Sequence, residues 1–435
     1  MQKNECFEGG GGDSGLNKIT KKSVLKYHSN PTGGKIEICI KKKCETQSDL
    51  SLAYTPGVAL PCLEIEKNPS DSYRYTNRGN LVGVISNGTA VLGLGDIGAE
   101  ASKPVMEGKS VLFKKFADID AFDIEINEKD PDKFIDIVAS LEPTFGGINL
   151  EDIKGPECFY IEEKLIEKMN IPVFHDDQHG TSVIATAGLL NAGEIIKKDI
   201  SSMRIVASGA GAAALPTLNM FIKAGADIKK INVFDKYGHI HAKRTDLNRY
   251  NRKFASGKSF KTLDEAMEGA DLFLGLSVKG VLTEKMIIKM AENPIIFALA
   301  NPEPEIDYET ARRARRDAII CTGRSDYPNQ INNVLGFPFI FRGVLDCNAS
   351  RVTENMKFSA AKALSDIAKK KTPEYVRKIY KEDLKFSKNY IIPKPFDKRV
   401  YAEESLAVLK QAIADKVSRK EVDIKAYEKA LRRFM

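Results

Sequence analysis

RIVASGAGAAALPTLNMFIKAGADIKKINVFD, residues 204–235, reads as a strand, a glycine turn, a helix and a second strand that ends in an acid. The turn residues Gly209, Ala210, Gly211, Ala212 and Ala213, closed by Ala214, satisfy the alanine-ended form of the G-x-G-x-x-G dinucleotide fingerprint. A helical pattern runs through Leu218 to Ala224, and Asp235 lies 24 residues beyond Gly211, a spacing that suits a contact with ribose hydroxyls. A glycine fingerprint alone is weak; strand, glycines, helix, strand and acid in this order favour dinucleotide binding over a purely structural turn. LFLGLS, IIFALA and AIICTG continue the same rhythm. Short apolar strands separated by helical patterns predict an α/β fold whose second part is a doubly wound, Rossmann-type parallel sheet covered on both faces.

A competing motif, GLGDIG, places Gly93, Gly95 and Gly98 in the full fingerprint spacing. Its Asp96 would oppose a pyrophosphate at a helix N-terminus, so this segment reads as a tight turn near the active site. Between the two motifs lies IPVFHDDQHGT, residues 171–181, where an apolar strand-like run ends in Asp176 and Asp177 just before Ser182 to Ala192, a stretch small and apolar enough for a buried helix. A second acidic pair, Glu151 and Asp152, precedes it in INLEDIKGPECFY. Carboxylates at strand ends face a crevice, and hard oxygen ligands from two such places suit Mg²⁺ or Mn²⁺. The alternative is that both pairs are solvated turn residues or helix caps.

At 435 residues, the chain has room for two domains with real cores. Residues 1–20, with Gly9 to Gly12, read as a flexible tail, 21–170 as a first domain with strands in GNLVGVIS and FDIEI, 171–400 as the dinucleotide domain, and 401–435 as a peripheral helical segment. A hydrophobic fraction of 43% and a charged fraction of 29% are those of a globular enzyme. The +7 net charge is spread along the chain, without zinc-finger spacing or RNP-like aromatics, so no nucleic-acid partner is expected. The longest apolar runs fall short of the ~18 residues of a membrane span, so no membrane partner is expected either. Seven scattered cysteines, odd in number and never in a C-x-x-C pair, read as reduced thiols of a cytoplasmic protein.

DLSLAYTPGVALPC, GTAVLGLGDIGAEASKPVMEGKSVLF, INLEDIKGPECFYIE, PVFHDDQHGT, FALANPEPEI and INNVLGFPFIFRG resemble, in order, the motifs of the malic enzyme family. The resemblance spans about Val24 to Val400 and is nearest to the short bacterial and archaeal form, without the phosphotransacetylase-like domain for which a chain ending at Met435 has no room. It implies an N-terminal malic-enzyme domain ahead of the NAD(P)-binding domain, with the site between them. It also implies oxidative decarboxylation of L-malate to pyruvate and CO₂ with NAD(P)⁺ and Mg²⁺ or Mn²⁺, in a homodimer or higher homo-oligomer. Carried over position by position, it makes Lys109 the general base and Tyr54 the general acid. Glu151, Asp152 and Asp177 become the metal ligands, Asp176 their neighbouring partner, and Asn301 and Asn332 contacts to substrate and nicotinamide.

A lysine serves as base only if its pKa falls from about 10.4 towards 7 to 8, which a neighbouring divalent cation promotes. Without the resemblance, Lys109 reads as a surface lysine and Tyr54 as a packed turn aromatic. One departure stands out: Thr89 and Ala90 occupy the place where animal relatives carry a substrate-gripping arginine. A lysine or arginine from another loop, or from a partner subunit, is the candidate replacement. Two rival readings are another metal-assisted NAD(P)-linked hydroxy-acid dehydrogenase and a catalytically silent nucleotide-binding regulator. Asp235 favours NAD⁺ over NADP⁺, since a carboxylate there repels a 2′-phosphate. Lys236, His239, Lys243 and Arg244 follow closely, and read as an exposed turn and helix start rather than a phosphate clamp.

Overall fold

The computed structural model describes residues 20–433, so the Gly9–Gly12 tail and Cys6 lie outside the described residues. Two sheets organise the chain. The first contains β1 (Leu81–Ser86), β2 (Asp120–Glu125), β3 (Gly147–Leu150) and β4 (Val173–His175), in the order β2-β1-β3-β4 and parallel throughout. The second contains β5 (Ile205–Ser208), β6 (Ile231–Asp235), β7 (Gly238–His239), β8 (Leu272–Gly275), β9 (Ile295–Ala298) and β10 (Ile319–Thr322), in the order β10-β9-β8-β5-β6-β7. Only β7 runs antiparallel, against β6. The strands β5, β8, β9 and β10 are buried along their whole length, which explains why they read as unbroken apolar runs.

β5 pairs with β6 on one side and β8 on the other, so the connections leave its carboxyl end in opposite directions. Such a reversal opens a crevice, and the turn at Gly209 sits in it. Gly209 has φ +114°, and a Cβ there would stand 2.3 Å from the Leu276 carbonyl oxygen, so only glycine lets the two strand ends approach this closely. β4 belongs to the first sheet, pairing with β3. A boundary drawn at residue 170 therefore separates it from its partners, because parallel pairing joins segments that are distant in sequence.

From β4 the chain passes directly into the helix Asp176–Ile196, which contains the expected buried stretch Ser182 to Ala192. It packs against the helices Ala214–Lys223 and Glu354–Lys369. Its small residues allow close approach: a Cβ on Gly188 would lie 3.2 Å from the Phe297 ring of β9. Inside this contact Asn191 donates to the carbonyls of Ser365 and Ile391 and accepts from the Ser365 hydroxyl, satisfying a buried amide on both sides.

The C-terminal segment is only partly peripheral. Val400, Val408, Leu409 and Ala412 of the helix Arg399–Ala414 are fully buried against the helices Phe337–Asp346 and Glu354–Lys369, so this helix closes the core. The outer helix Ile424–Arg432 buries only Leu431. At the other end, the helices Lys21–Ser29, Gln47–Ala53 and Ala59–Lys67 bury no residue at all. Among the described residues no helix is long and apolar enough to cross a membrane, and the six described cysteines are all free.

Gly343 lies where the helices Phe337–Asp346 and Arg399–Ala414 cross, with its ideal Cβ 2.8 Å from the Ser405 carbonyl oxygen and 2.9 Å from Val408. Gly343→Leu is expected to lower stability by about 1–3 kcal/mol through overpacking. Denaturant unfolding checks this, and an unchanged midpoint would contradict the close crossing.

Candidate active site

β3 and β4 are parallel neighbours with Leu150 opposite His175. Glu151 and Asp152 therefore leave one strand where Asp176 and Asp177 leave the other. The two acidic pairs, 25 residues apart in sequence, meet at the carboxyl ends of adjacent strands. One oxygen from each of Glu151, Asp152 and Asp177 lies within 4.8 Å of the other two. Asp152 adopts a left-handed backbone conformation, φ +54°, uncommon for a residue with a side chain and concentrated at functional sites. Its amide donates to Asp177 Oδ2 at 2.8 Å. Glu151, Asp152 and Asp176 are buried, so the solvated-turn alternative fails for them; only Asp177 stays half-buried.

Lys109 reaches the cluster from the helix Ala99–Ala117. Its ammonium is 2.5 Å from Asp176 Oδ2, 2.8 Å from Glu151 Oε1 and 4.4 Å from the centre of the Phe337 ring. It is only 9% exposed, so the reading as a surface lysine is wrong: a helix's inner face is set by what packs on it, here Phe337 and the strand ends. Burial alone would lower the lysine's pKa, but Asp176 and Glu151 outweigh it and hold the ammonium protonated above the ordinary lysine range. Burial, reinforced by the neighbouring carboxylates and opposed by Lys109, pushes Glu151 well above the usual range. Asp152 is pushed up to about 7, by burial first and Asp177 second, against Lys109 and the Leu92 backbone.

A cation fits this donor set. Asp152 Oδ2 is buried without a hydrogen-bond partner among the described residues, and the carboxylates outnumber the one ammonium among them. A wider ring holds the cluster in place. Glu162 accepts the His175 amide and the His179 ring N–H, each at 2.9 Å, and the Lys357 ammonium lies 3.1 Å from that ring. Burial would raise Glu162, yet His179 and Lys357 bring it down to about 2, so it remains ionised where Asp176 begins its helix. Asn149 donates to Glu151 Oε2 at 2.9 Å, and Asn333 donates to Asp176 Oδ2 at 3.0 Å. A Cβ on Gly180 would stand 2.2 Å from Asp176 Oδ1 and 2.9 Å from Asn333, so glycine is obligatory there.

The turn Gly209–Ala213 lies beside the acids. Ala210, Ala212 and Ala213 are half-buried, Gly211 is exposed, and the Ala212 amide lies 3.7 Å from the Cβ position of Gly155, three residues past Asp152. No side chain caps the helix Ala214–Lys223 that the turn opens, leaving its N-terminus available to a pyrophosphate. Asp235 does not stand free: Oδ1 accepts from Arg244 Nη1 at 2.7 Å and from the Tyr237 amide. Arg244 also pairs with Asp246 and is mostly buried, and His239 is buried in β7. The expected exposed turn and helix start is therefore a short hairpin clamped by an arginine.

Asn301 sits where the two halves touch: its carbonyl oxygen is 3.0 Å from the Cβ position of Gly93, and its side chain covers Gly323. Glu305 anchors this loop, accepting the amides of Ser277 and Ala300 from a fully buried position. GLGDIG forms a tight turn with positive φ at Leu92, Gly95 and Gly98, and Asp96 pairs with Lys129 at 2.8 Å. Thr89 accepts the Lys154 amide and donates to Asn87, which makes it a support for the acidic loop. Asn332 uses its side-chain oxygen to cap the turn at Val334; its neighbour Asn333 is the one that reaches Asp176. Tyr54, at the C-terminus of the helix Gln47–Ala53, is 68% exposed and its hydroxyl makes no hydrogen bond among the described residues, so it is not a packed turn aromatic. Asn333, Phe337, Glu162, Gly180 and Glu305 escaped the sequence reading, although each lies inside or beside a quoted motif; nothing in one sequence tells which of Asn332 and Asn333 bonds to Asp176.

The chain matches the malic enzyme N-terminal domain over residues 33–132 and 127–166 and the malic enzyme NAD binding domain over residues 178–382. The chain belongs to the malic enzyme family. It is 57% identical to an NADP-dependent malic enzyme of Salmonella typhimurium over 427 residues, which cover 97% of this chain and 56% of that one. An NAD-dependent malic enzyme of Rhizobium meliloti is 52% identical, over 95% of this chain and 54% of its own. The chain thus spans just over half the length of these curated relatives. A crystal structure of malic enzyme from Pyrococcus horikoshii Ot3 superimposes with a TM-score of 0.85 at 43% identity, covering 95% of each chain. Family membership carries the two-part α/β architecture and the NAD(P)-binding domain.

Asp152 holds its proton more tightly folded than unfolded, its pKa rising from 3.8 to about 7, so without metal native stability should fall as pH climbs through that window. Thermal unfolding in EDTA should show a lower midpoint at about pH 8 than at about pH 5, and Mn²⁺ should restore most of the difference. Asp177→Asn should raise the midpoint in EDTA at the higher pH and abolish the Mn²⁺ response. A flat profile, or a variant still stabilised by Mn²⁺, would rule out the acidic cluster as a cation site.

Proposed function

We propose that the chain oxidises and decarboxylates L-malate to pyruvate and CO₂ with reduction of NAD(P)⁺, using Mg²⁺ or Mn²⁺. The observation that carries this reading is the buried Lys109, 2.5 Å from Asp176 and 2.8 Å from Glu151, at the rim of the Glu151, Asp152 and Asp177 cluster. Those three carboxylates would hold the ion, which when bound stabilises negative charge on the 2-oxygen of malate and on the enolate left by CO₂. Lys109 takes the proton of the 2-hydroxyl. With the Glu151 charge engaged elsewhere, the lysine keeps only Asp176 as its anion, and its pKa moves down in the direction a base requires. Asp176, fixed by Asn333, aims the ammonium.

The turn Gly209–Ala213 would seat the pyrophosphate, with Asn301 and Asn332 contacting nicotinamide and substrate, and Tyr54 would return a proton to the enol carbon. In this division residues 21–170 carry Lys109, Glu151 and Asp152, and residues 171–400 carry Asp176, Asp177 and the cofactor turn. A cytoplasmic homodimer or higher homo-oligomer is the form proposed to act. Purified protein supplied with malate, each cofactor and each metal tests the reading directly through pyruvate and CO₂. Oxaloacetate accumulating instead of pyruvate would assign it to a non-decarboxylating dehydrogenase, and no turnover at all would leave a silent nucleotide binder. Lys109→Ala should barely oxidise malate yet still decarboxylate added oxaloacetate, a step that does not need the base.

Cofactor choice turns on Arg244. The expected preference for NAD⁺ read Arg244 as part of an exposed turn, but it is paired with Asp235 and with Asp246, so it offsets part of the charge that would repel a 2′-phosphate and places a guanidinium beside it. We infer that NADP⁺ is accepted through this arginine. A charge-assisted contact is worth roughly 1.5–3 kcal/mol, so Arg244→Ala should shift the kcat/KM ratio towards NAD⁺ by about tenfold or more. An unmoved ratio would remove Arg244 from the choice.

A further inference from the structure

The helix Glu354–Lys369 runs out into three consecutive lysines, Lys369, Lys370 and Lys371, and the chain then folds back through the short helix Glu374–Tyr380. Ala368, Val376, Leu384 and Tyr390 are buried against one another at this turn, in a small core separate from the main one. The Thr372 hydroxyl donates to the Leu384 carbonyl at 2.7 Å. Arg399, itself paired with the buried Asp397, donates to the Lys371 carbonyl at 3.0 Å. A chain tied at two consecutive residues and seated on its own core presents a surface of fixed shape. That surface is a cavity of about 270 Å³, and its lining is basic: Lys369, Lys370, Lys371, Arg377 and Lys385 face a single acid, Asp383.

Part of this charge has an ordinary explanation. A helix dipole favours cations at the C-terminus, and Lys369 and Lys370 are engaged by acids outside the cavity, Glu194 and Glu403, each at 2.6 Å. Asp383 is taken up by Lys385 at 2.6 Å. Two cations are left over. Lys371 forms no ion pair among the described residues. Arg377 stands 3.9 Å from Asp383, too far for a hydrogen bond, and its guanidinium donates none among the described residues. Its Nε is shut off from solvent without a partner, an arrangement that costs stability and that folded chains mostly avoid. Helix-end electrostatics do not account for an arginine held this way; an acceptor brought by a ligand does.

We propose that this cavity binds the phosphoryl group of a small anionic ligand, free phosphate or a phosphate monoester, between Arg377 and Lys371. The chemistry of the lining selects that class. A guanidinium fork beside an ammonium matches an oxyanion with several acceptor oxygens on one atom. Five cations against one acid favour a group that carries close to two negative charges near neutral pH, as a phosphoryl group does. The site is separate from the acidic cluster and from the turn Gly209–Ala213. Lys357, near the start of the helix Glu354–Lys369, lies 3.1 Å from the His179 ring, whereas Lys369 at its end lines the cavity. Those 16 residues span about 24 Å, so a ligand at Arg377 does not compete with the cofactor.

Isothermal titration calorimetry tests it with three probes: inorganic phosphate, glycerol 3-phosphate and malonate. Titrations are run in about 0.15 M KCl, which screens loose ionic association, and with excess NADP⁺ to occupy the turn Gly209–Ala213. Wild type is expected to bind one of the phosphoryl probes at a single site per chain. Arg377→Gln combined with Lys371→Gln should weaken that binding about tenfold or more, since two charge-assisted contacts are lost. Should the double variant fail to fold, Arg377→Lys keeps the charge and removes the fork, and a clear loss of affinity is expected from it as well. Tighter binding of glycerol 3-phosphate points to an ester as the ligand, and tighter binding of phosphate to the free anion; malonate, whose charge is divided between two carboxylates, should bind more weakly than either. A wild type that takes up neither phosphoryl probe at roughly millimolar concentration overturns the proposal. So does a folded variant that binds as tightly as wild type, or malonate bound as well as phosphate. The titration reads binding alone and stands whether or not the chain turns over malate.

Discussion

The rest of the structure depends on one electrostatic constraint: Glu151, Asp152, Asp176 and Asp177 crowd a single ammonium, Lys109, in a place from which most of the water has been removed. Like charges at this separation repel strongly once buried, and burying an unpaired carboxylate is costlier still. The surrounding polar groups lower that cost. Asp176 and Asp177 open a 21-residue helix, whose N-terminus favours negative charge. The Asp152 amide, Asn149 and Asn333 each donate to one of the carboxylates. What remains is an excess of negative charge that neither Lys109 nor these donors neutralise, which is the condition under which a site takes up a divalent cation.

Holding that arrangement is a task for the rigid parts of the fold. β3 and β4 set the register that brings the acidic pairs together, and Glu162, ionised by its contact with His179 and Lys357, ties the end of β4 to two helices. Lys109 is delivered from the opposite side by a helix that packs through Phe113 onto Phe337 and Phe341, with ring centroids 4.8 and 5.2 Å apart. The placement of Lys109 thus depends on an aromatic contact between the first sheet's helix and the C-terminal third of the chain. Glu305 does the same for the second sheet, fixing the loops after β8 and β9 by two amide hydrogen bonds. By contrast, the helix Gln47–Ala53 that Tyr54 terminates buries no residue.

Much of the fold was legible because its signals are local. The strands around Ile205, Ile231, Leu272, Ile295 and Ile319, the turn at Gly209 and the buried helix after Asp177 each show in a dozen consecutive residues, through apolar runs, glycine placement and small side chains. The acidic pairs were legible as candidates for the same reason. Lys109 and Tyr54 were found only through resemblance to a family, and judged on local pattern alone both readings failed: the lysine is buried and the tyrosine exposed. Arg244 shows a milder form of the problem. Its proximity to Asp235 is visible in the sequence, but whether it extends into solvent or folds back onto the carboxylate depends on the short hairpin between them.

The sequence by itself determined the elements and their chemistry: two runs of parallel strands, a glycine turn closed by small residues, and two acidic pairs at strand ends. These follow from side-chain periodicity and backbone freedom, which act over a few residues. Only the tertiary structure decided which charges share one site. The register of Leu150 against His175, the aromatic packing that carries Lys109 inward, and the bond from Asn333 to Asp176 all depend on contacts between segments far apart in the chain. Burial and electrostatic coupling are properties of those contacts, and no single stretch of sequence contains them.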